Sequence, residues 1–185
     1  DLVQPPAFSV TTPEDTDFVF SLGNNARIDV FDPDIGSSFG RFTLTATHGT
    51  LRLSTTAGLD FNAGTCVGAT GNGLDDRTMT FWSTVTNANT AINGLLYHPA
   101  GDYNSAVGPE ALVITVNDLG ASGDGGPAQT TRSVPINVTA VNDVPELIAP
   151  ISDFARDEDS ADTQFNLFTV FRDRDIATNG DTLTF

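Results

Sequence analysis

Residues 42–53 read FTLTATHGTLRL and contain two short alternating stretches on either side of a turn. Apolar and polar residues alternate over Phe42–Thr45 and again over Thr50–Leu53, with His48-Gly49 between them. Alternation with period two is typical of a strand that buries one face, and glycine is typical of a tight turn. This stretch therefore predicts two strands, each with one side in a hydrophobic core.

The same pattern recurs along the first 140 or so residues, separated by polar loops. The other alternating stretches are Phe18–Phe20, Ile28–Phe31, Met79–Trp82, Leu112–Val116 and Val134–Val138. Only Asn87–Leu95 predicts a helix, because Ala88, Ala91, Ile92 and Leu95 recur at spacings of three and four. Short strands at this spacing with one short helix predict an all-β fold, an antiparallel Greek-key β-sandwich. Pro135 favours an edge or bulged position in the last strand, and the expected core or near-core residues include Phe42, Leu44, Trp82, Ile114 and Val116.

Charge is the most unbalanced property of the 185 residues. The chain has 24 acidic residues and 8 basic ones, so its formal net charge is -16. Every basic residue other than histidine is arginine. Affinity for nucleic acid comes largely from Lys and Arg that displace counterions, so nucleic acid is excluded as a partner. No apolar run is long enough to span a bilayer, so we expect no membrane insertion.

The chain also repeats itself. A gap-free comparison that starts with Asn25 against Asn166 aligns an acidic pair in both copies: Asp32 with Asp173, Asp34 with Asp175, Ile35 with Ile176 and Thr43 with Thr184. We therefore predict tandem modules, with residues 1–143 as one complete module and residues 144–185 as the N-terminal part of a second, truncated one.

Several motifs in this order resemble a known family. Glu14 in a Pro-Glu-Asp-Thr turn, Asp32-Pro33-Asp34 and Asn142-Asp143-Val144-Pro145 follow the order of the cadherin calcium motifs. More closely, the chain is similar to the cadherin-like tandem repeats of giant bacterial secreted adhesins in four further motifs: Thr47–Leu51, Ala91–Pro99, Asp102-Tyr103-Asn104 and Val116–Gly120. The resemblance implies a cadherin/Ig-like sandwich that binds calcium.

Oxygen-bearing side chains on short turns suit calcium, which takes six to eight oxygen ligands. The candidate metal ligands are Glu14, Asp32, Asp34, Asp102, Asp118, Asn142, Asp143, Asp173 and Asp175. Asp and Asn are also common turn formers, and for Asp102, Asp118 and Asp124 the two interpretations stay open.

Residues 141–145, which we call the linker, join the two predicted modules. We expect Asp32, Asp34 and Asp118 at one end of the sandwich. Glu14, Asp102 and the linker should lie at the other end, where Asp173 and Asp175 would join them. Arg172 and Arg174 would either weaken that site or form salt bridges with it.

The predicted function is a structural one. We expect a calcium-stiffened repeat of a secreted, extracellular adhesin or cell-surface filament, in which Ca2+ rigidifies the joint between consecutive modules. Adjacent repeats of the same chain would be its partners, and neighbouring copies are a further possibility. The alternative is a polysaccharide-binding or homophilic module.

An enzyme is not expected, because the acidic residues concentrate in terminal turns. In addition, His48, His98 and Cys66 have no partners at the spacing of a zinc site or a catalytic nucleophile.

Overall fold

A computed structural model of the chain describes residues 3–4, 9–121, 126–178 and 180–185. In chain order the strands are β1 (Val3–Gln4), β2 (Val10–Pro13), β3 (Phe18–Phe20), β4 (Asp29–Val30), β5 (Gly40–Ala46), β6 (Gly49–Arg52), β7 (Thr78–Ser83), β8 (Leu95–Pro99), β9 (Glu110–Asn117), β10 (Gln129–Thr139), β11 (Glu146–Leu147) and β12 (Phe171–Arg172). Helix α1 covers Val85–Ile92, and α2 is a single turn over Asp175–Thr178. Short 3₁₀ turns lie at Leu22–Asn24 and Leu167–Thr169.

Two sheets supply most of the strands. One has the order β2-β10-β9-β5-β7 and the other β3-β8-β6. Neighbouring strands run antiparallel, except that β2 and β10 run parallel. Both sheets contribute buried side chains to one hydrophobic cluster, including Phe42, Leu44, Phe81, Leu112 and Ile114 from the first and Phe20, Leu51, Leu95 and Tyr97 from the second. The predicted all-β class, with one short helix, is confirmed.

Helix α1 differs in its bounds from the prediction. It begins at Val85, where the Thr84 side chain caps it by accepting a hydrogen bond from the Asn87 N–H at 3.3 Å. It ends at Ile92, before Asn93 and Gly94, and the positive φ of Gly94 turns the chain into β8. Leu95 was therefore wrongly assigned to the helix: it is buried, but as the first residue of a strand.

Trp82 is the one predicted core residue that the core does not contain. Met79 and Phe81 are fully buried on the inner side of β7, and Phe81 stacks on Phe42 with ring centroids 5.4 Å apart. Successive side chains of a strand point to opposite faces, so Trp82 lies half-buried on the outer face, paired with Arg41. The other expected core residues, Phe42, Leu44, Ile114 and Val116, are buried.

Pro135 lies where β10 changes its neighbours. Pairing with β9 covers Gln129 to Ile136, whereas pairing with β2 begins only at Ile136. At Pro135 the strand therefore has a ladder partner on one side, which is where the missing N–H of proline is tolerated. Strand β2 was not predicted, because its second buried position, Thr12, is polar, as is the buried Glu14 that directly follows the strand.

Residues 144–185 lie outside the main core, whose cluster runs from Val10 to Val138. Their pairing is short: β11 pairs with β12 in antiparallel fashion, as β1 pairs with β4 near the start of the chain. Large apolar side chains of this segment are exposed, among them Ile151, Phe154, Phe165 and Phe168. Hydrogen bonds and an ion pair join this segment to the preceding residues: Asp175 to Asp143, Thr178 to Asn104 and Arg174 to Asp102.

Candidate metal centre

Three aspartates lie close together near the end of β10. One carboxylate oxygen from each of Asp15, Asp102 and Asp143 lies within 4.8 Å of the other two. Asp15 and Asp102 have φ values of 59° and 56°, a left-handed conformation that aspartate tolerates in turns. Asp15 was missed by the sequence analysis, although it directly follows Glu14 in the Pro-Glu-Asp-Thr turn.

Glu14 holds the start of the linker by hydrogen bonds. It is only 2% exposed, its N–H donates to the Thr139 carbonyl at 2.9 Å, and its Oε1 accepts a hydrogen bond from the Val141 N–H at 2.6 Å. The second oxygen, Oε2, is buried and has no hydrogen-bond partner among the described residues. An ionised carboxylate is costly to bury unless it is paired or coordinates a metal. Glu14 therefore presents a buried oxygen that a cation would satisfy.

Asp173 and Asp175 bring the second segment to the same place. They are 5% and 1% exposed, and the Asp173 Oδ1 accepts a hydrogen bond from the Asp175 N–H at 2.9 Å. The Asp175 Oδ2 in turn accepts from the Asp143 N–H at 2.5 Å. Nearby, the Asn104 side chain donates to the Thr178 carbonyl at 3.4 Å. The linker and the second segment therefore share one polar contact region with the Asp102 loop.

The electrostatics of this region favour a positive charge. The pKa of Asp143 is raised, first by burial and then by the negative charges of Asp175, Asp15 and Asp102. Like charges this close disfavour one another's ionised forms, and a divalent ion removes that penalty because it attracts all of them. The arrangement can hold a hard cation through oxygen ligands.

Two arginines flank the site. Arg174 pairs with Asp102 at 3.2 Å and with Glu146 at 2.8 Å, and Arg172 pairs with Glu146 at 3.1 Å. These contacts raise the pKa of Arg174, with Asp102 as the largest cause, and lower that of Glu146, with Arg172 as the largest cause. Arg174 therefore neutralises part of the charge on Asp102 and leaves fewer of its oxygens available to an ion.

Asn142, the remaining linker candidate, is exposed. Its side-chain amide donates to the Asp143 carbonyl at 2.9 Å. The structure thus places Asn142 beside the acidic group, with its nitrogen used to shape the linker backbone.

Asp32 and Asp34 lie in a separate turn before β5. The Asp32 Oδ1 accepts hydrogen bonds from the N–H groups of Asp34 at 3.0 Å and Ile35 at 3.1 Å. Asp32 is half-buried, its Oδ2 has no partner in the described part of the chain, and Asp34 is exposed. The structure does not bring this pair together with the linker carboxylates.

Asp118 closes the loop after β9. It is buried, and its Oδ1 accepts hydrogen bonds from the N–H groups of Gly120 at 2.9 Å and Ala128 at 2.7 Å. Asp124, in the same loop, lies outside the described residues. Asp118 therefore has a clear structural role as a turn residue.

The strand register gives the two ends of the sandwich. Arg41, at the start of β5, pairs with Asn117, at the end of β9, so the Asp32 turn and Asp118 lie at one end. Glu110, at the start of β9, pairs with Ile136 of β10, so the Asp102 loop and the linker after Thr139 lie at the other. This is the distribution that the sequence predicted.

Comparisons with known proteins give no family assignment. No protein-family model matches the chain, and no curated protein matches it. Among the residues that the structure describes, no helix has the length and apolar character needed to cross a membrane.

Proposed function

We propose that this chain is a calcium-binding structural repeat of an extracellular adhesin or cell-surface filament. In this proposal residues 1–143 form a cadherin-like Greek-key module, and residues 144–185 begin a second one. Calcium binds between them and holds the joint in one geometry. The proposed role is mechanical, and the ion's ligands come from both sides of the linker.

One observation carries the proposal: the carboxylates of Asp15, Asp102 and Asp143 lie together at the linker, and Asp175 accepts a hydrogen bond from the Asp143 N–H. Glu14, the neighbour of Asp15 in the chain, adds a buried oxygen without a partner among the described residues. These residues come from four stretches of the chain: the turn at 14–15, the loop at Asp102, the linker at Asp143 and the turn at Asp175. Calcium prefers carboxylate and carbonyl oxygens in flexible sets of six to eight. Carboxylates from the two proposed modules would therefore be joined through one or more ions.

The tandem arrangement is supported by local structure that recurs in the second segment. Asp32 accepts a hydrogen bond from the N–H two residues on at 3.0 Å, and Asp173 does the same at 2.9 Å. The turn Pro13-Glu14-Asp15-Thr16 has a loose counterpart in Asp157-Glu158-Asp159-Ser160, with a three-residue difference in its spacing to the Asp pair. Asp15 and Asp159, in these two acidic turns, have φ values of 59° and 63°. A backbone conformation that recurs in similar sequence motifs favours two copies of one module.

The strand order supports the Greek-key assignment. In the five-stranded sheet, β9 lies between β5 and β10, and β2 joins the sheet beside β10, far from it in sequence. Strand β3, which follows β2, pairs with β8 in the other sheet. Consecutive strands therefore cross between sheets, as they do in Greek-key sandwiches.

The direct test is a calcium titration of the chain by isothermal calorimetry after removal of metal by a chelator. We expect a dissociation constant in the range of about 0.1 to 1 mM, typical of extracellular modules. The change Asp143→Asn should weaken binding at least tenfold. The control Asp153→Asn alters an exposed aspartate of the second segment and should leave binding unchanged. An absence of calcium binding by the unmodified chain would refute the proposal.

A further inference from the structure

The outer face of the five-stranded sheet forms three regular cross-strand rows, which we call the threonine face. The first row is Trp82, Arg41, Asn117 and Gln129; the second is Thr80, Thr43, Thr115 and Thr131; the third is Thr78, Thr45, Val113 and Ser133. Seven of these twelve side chains carry a hydroxyl group, and none is acidic.

Neighbouring hydroxyls on this face are in contact with one another. The Oγ1 atoms of Thr43 and Thr80 are 3.0 Å apart, and those of Thr115 and Thr131 are 2.9 Å apart. A hydroxyl has one donor and two acceptor positions. Thr80 is buried, so the hydroxyls of these pairs that solvent reaches are those of Thr43, Thr115 and Thr131, which keep capacity for a further partner. A shallow depression of about 240 Å3 crosses the second row and is lined by Arg41, Thr43, Gly68, Thr80, Thr115 and Gln129.

Arg41 is the charged group of the face. Its guanidinium forms no hydrogen bond or ion pair in the described part of the chain, although Arg27, Arg52, Arg172 and Arg174 each pair with a carboxylate. The chain has three acidic residues for every basic one. A half-buried arginine without a carboxylate on this face is therefore free to bind an anionic group from outside.

The other sheet provides a contrast. Near its outer face, Arg52 pairs with Asp75, and His98 pairs with Asp17 at 2.5 Å. Strand propensity favours threonine at exposed strand positions in both sheets. Arg77, which lies beside Thr50 and His98, also lacks a carboxylate partner, but its guanidinium donates to the Thr47 carbonyl, whereas that of Arg41 has no hydrogen-bond partner in the described part of the chain.

We propose that the threonine face binds a glycan chain that carries carboxylate groups, such as a uronic-acid polysaccharide. Arg41 would hold a sugar carboxylate in a bidentate pair, and the rows of hydroxyl and amide groups would exchange hydrogen bonds with sugar hydroxyls. A nucleic acid would need many more cations than one. A protein interface would need an aromatic or apolar centre, whereas Val113 and the half-buried Trp82 are the only large apolar members of the rows.

This proposal is independent of the calcium joint, and its test is made in chelator so that the two can fail separately. The probe is a hyaluronan octasaccharide, in which uronate sugars alternate with neutral ones, titrated by calorimetry into the full chain at about 0.15 M salt, where charges beyond about 8 Å are screened. We expect saturable binding. The same oligosaccharide with its carboxylates reduced to alcohols should bind at least tenfold more weakly.

Matched variants locate the binding surface. Arg41→Gln should weaken binding of the unreduced octasaccharide at least tenfold, whereas Arg52→Gln, on the other sheet, should leave it unchanged. The double change Thr43→Val with Thr115→Val should weaken binding several-fold, with folding checked by the melting temperature. Lack of saturable binding by the unmodified chain would overturn the proposal. Equal losses of oligosaccharide affinity in Arg41→Gln and Arg52→Gln would also overturn it. So would binding that occurs only when calcium is added and is unchanged in Arg41→Gln.

Discussion

The chain contains two Asp-x-Asp motifs that share a local hydrogen bond and differ in their surroundings. In both, the first aspartate accepts a hydrogen bond from the N–H of the second, at 3.0 Å for Asp32 and 2.9 Å for Asp173. Asp173 and Asp175 are buried against the linker, whereas Asp34 is exposed and Asp32 half-buried. The short motif therefore determines the turn, and the segment that packs against it determines whether carboxylates from elsewhere join it.

The surroundings of each Asp-x-Asp motif also determine which other carboxylates lie near it. Asp175 accepts a hydrogen bond from the linker at Asp143, whose carboxylate is close to those of Asp15 and Asp102. Asp32 has a buried oxygen without a partner among the described residues, but among those residues it belongs to no group of three or more side chains that could hold a metal ion. The comparison predicts that calcium acts mainly through the turn at 173–175.

The largest expected effect is that of calcium itself on stability. A ligand that binds only the native state, at a hundredfold excess over its dissociation constant, stabilises it by about 2.7 kcal/mol. For a chain of this size that corresponds to roughly 5 to 11 °C in melting temperature. Scanning calorimetry in calcium and in chelator measures it. The double change Asp173→Asn with Asp175→Asn should abolish most of the shift.

The matched control for this experiment is Asp32→Asn with Asp34→Asn, which alters the same motif in the exposed turn. It should keep most of the calcium-dependent shift. Equal losses from the two double variants would show that burial against the linker does not distinguish the two turns.

Glu14→Gln should have opposite effects in the two conditions. Glutamine can keep the acceptor for the Val141 N–H but removes the buried negative charge. In chelator the melting temperature should stay the same or rise, because a buried carboxylate without a partner is costly. In calcium it should fall relative to the unmodified chain, because one ligand is weakened. Glu158→Gln changes the exposed glutamate in the related turn of the second segment and should alter neither value.

The raised pKa of Asp143 predicts how stability and calcium affinity depend on pH. In the chelated protein, ionised Asp143 is less favourable in the folded than in the unfolded state. The resulting loss of folding free energy is therefore absent below the ordinary aspartate pKa and grows as pH rises through the raised pKa of Asp143. Calcium requires the ionised form, so calcium affinity should fall as pH decreases through that raised pKa.

Calorimetric titrations with calcium at several pH values between about 4 and 7 measure this effect, a range that begins near the unperturbed aspartate pKa. Asp143→Asn should show weaker binding with a smaller pH dependence. An affinity for calcium that stays constant across the range in the unmodified chain would contradict the assignment of Asp143 as a ligand.

The smallest expected effect concerns Arg174, which pairs with Asp102. Exposed ion pairs contribute about 0 to 1 kcal/mol, so Arg174→Gln should lower the melting temperature in chelator only slightly. It should raise calcium affinity a few-fold, because Asp102 is released and a competing positive charge is removed. Arg172→Gln, which loses only its contact with Glu146, should change calcium affinity less.

The fold was predictable where apolar residues alternate over several positions, as in β5, β7 and β9. The fold was harder to predict where polar residues are buried: Thr12 in β2 and Glu14 directly after it give no hydrophobic signal. Leu95 was misassigned because its spacing from Ala91 and Ile92 fits a helix. The intervening Asn93-Gly94, a recognisable helix stop, marks the boundary correctly.

For the candidate site, the sequence identified most of the carboxylates that meet at the linker. It missed Asp15, whose place in the group depends on a left-handed turn next to Asp102 and Asp143. Such a grouping depends on how loops at one end of the sandwich approach each other, which no local pattern records. The pairing of Arg174 with Asp102 depends in the same way on how the second segment docks.

The parallel pairing of β2 with β10 determines how the proposed first module would bear a pulling force. Its four residue pairs run from Val10 with Ile136 to Pro13 with Thr139, so the chain enters at one end of this ladder and leaves at the other. Tension applied along the chain would load these hydrogen bonds in shear, all together, whereas the strands of a hairpin peel apart one bond at a time. Glu14, bonded to Thr139 and Val141 just beyond the ladder, adds two further contacts that must break in the same event.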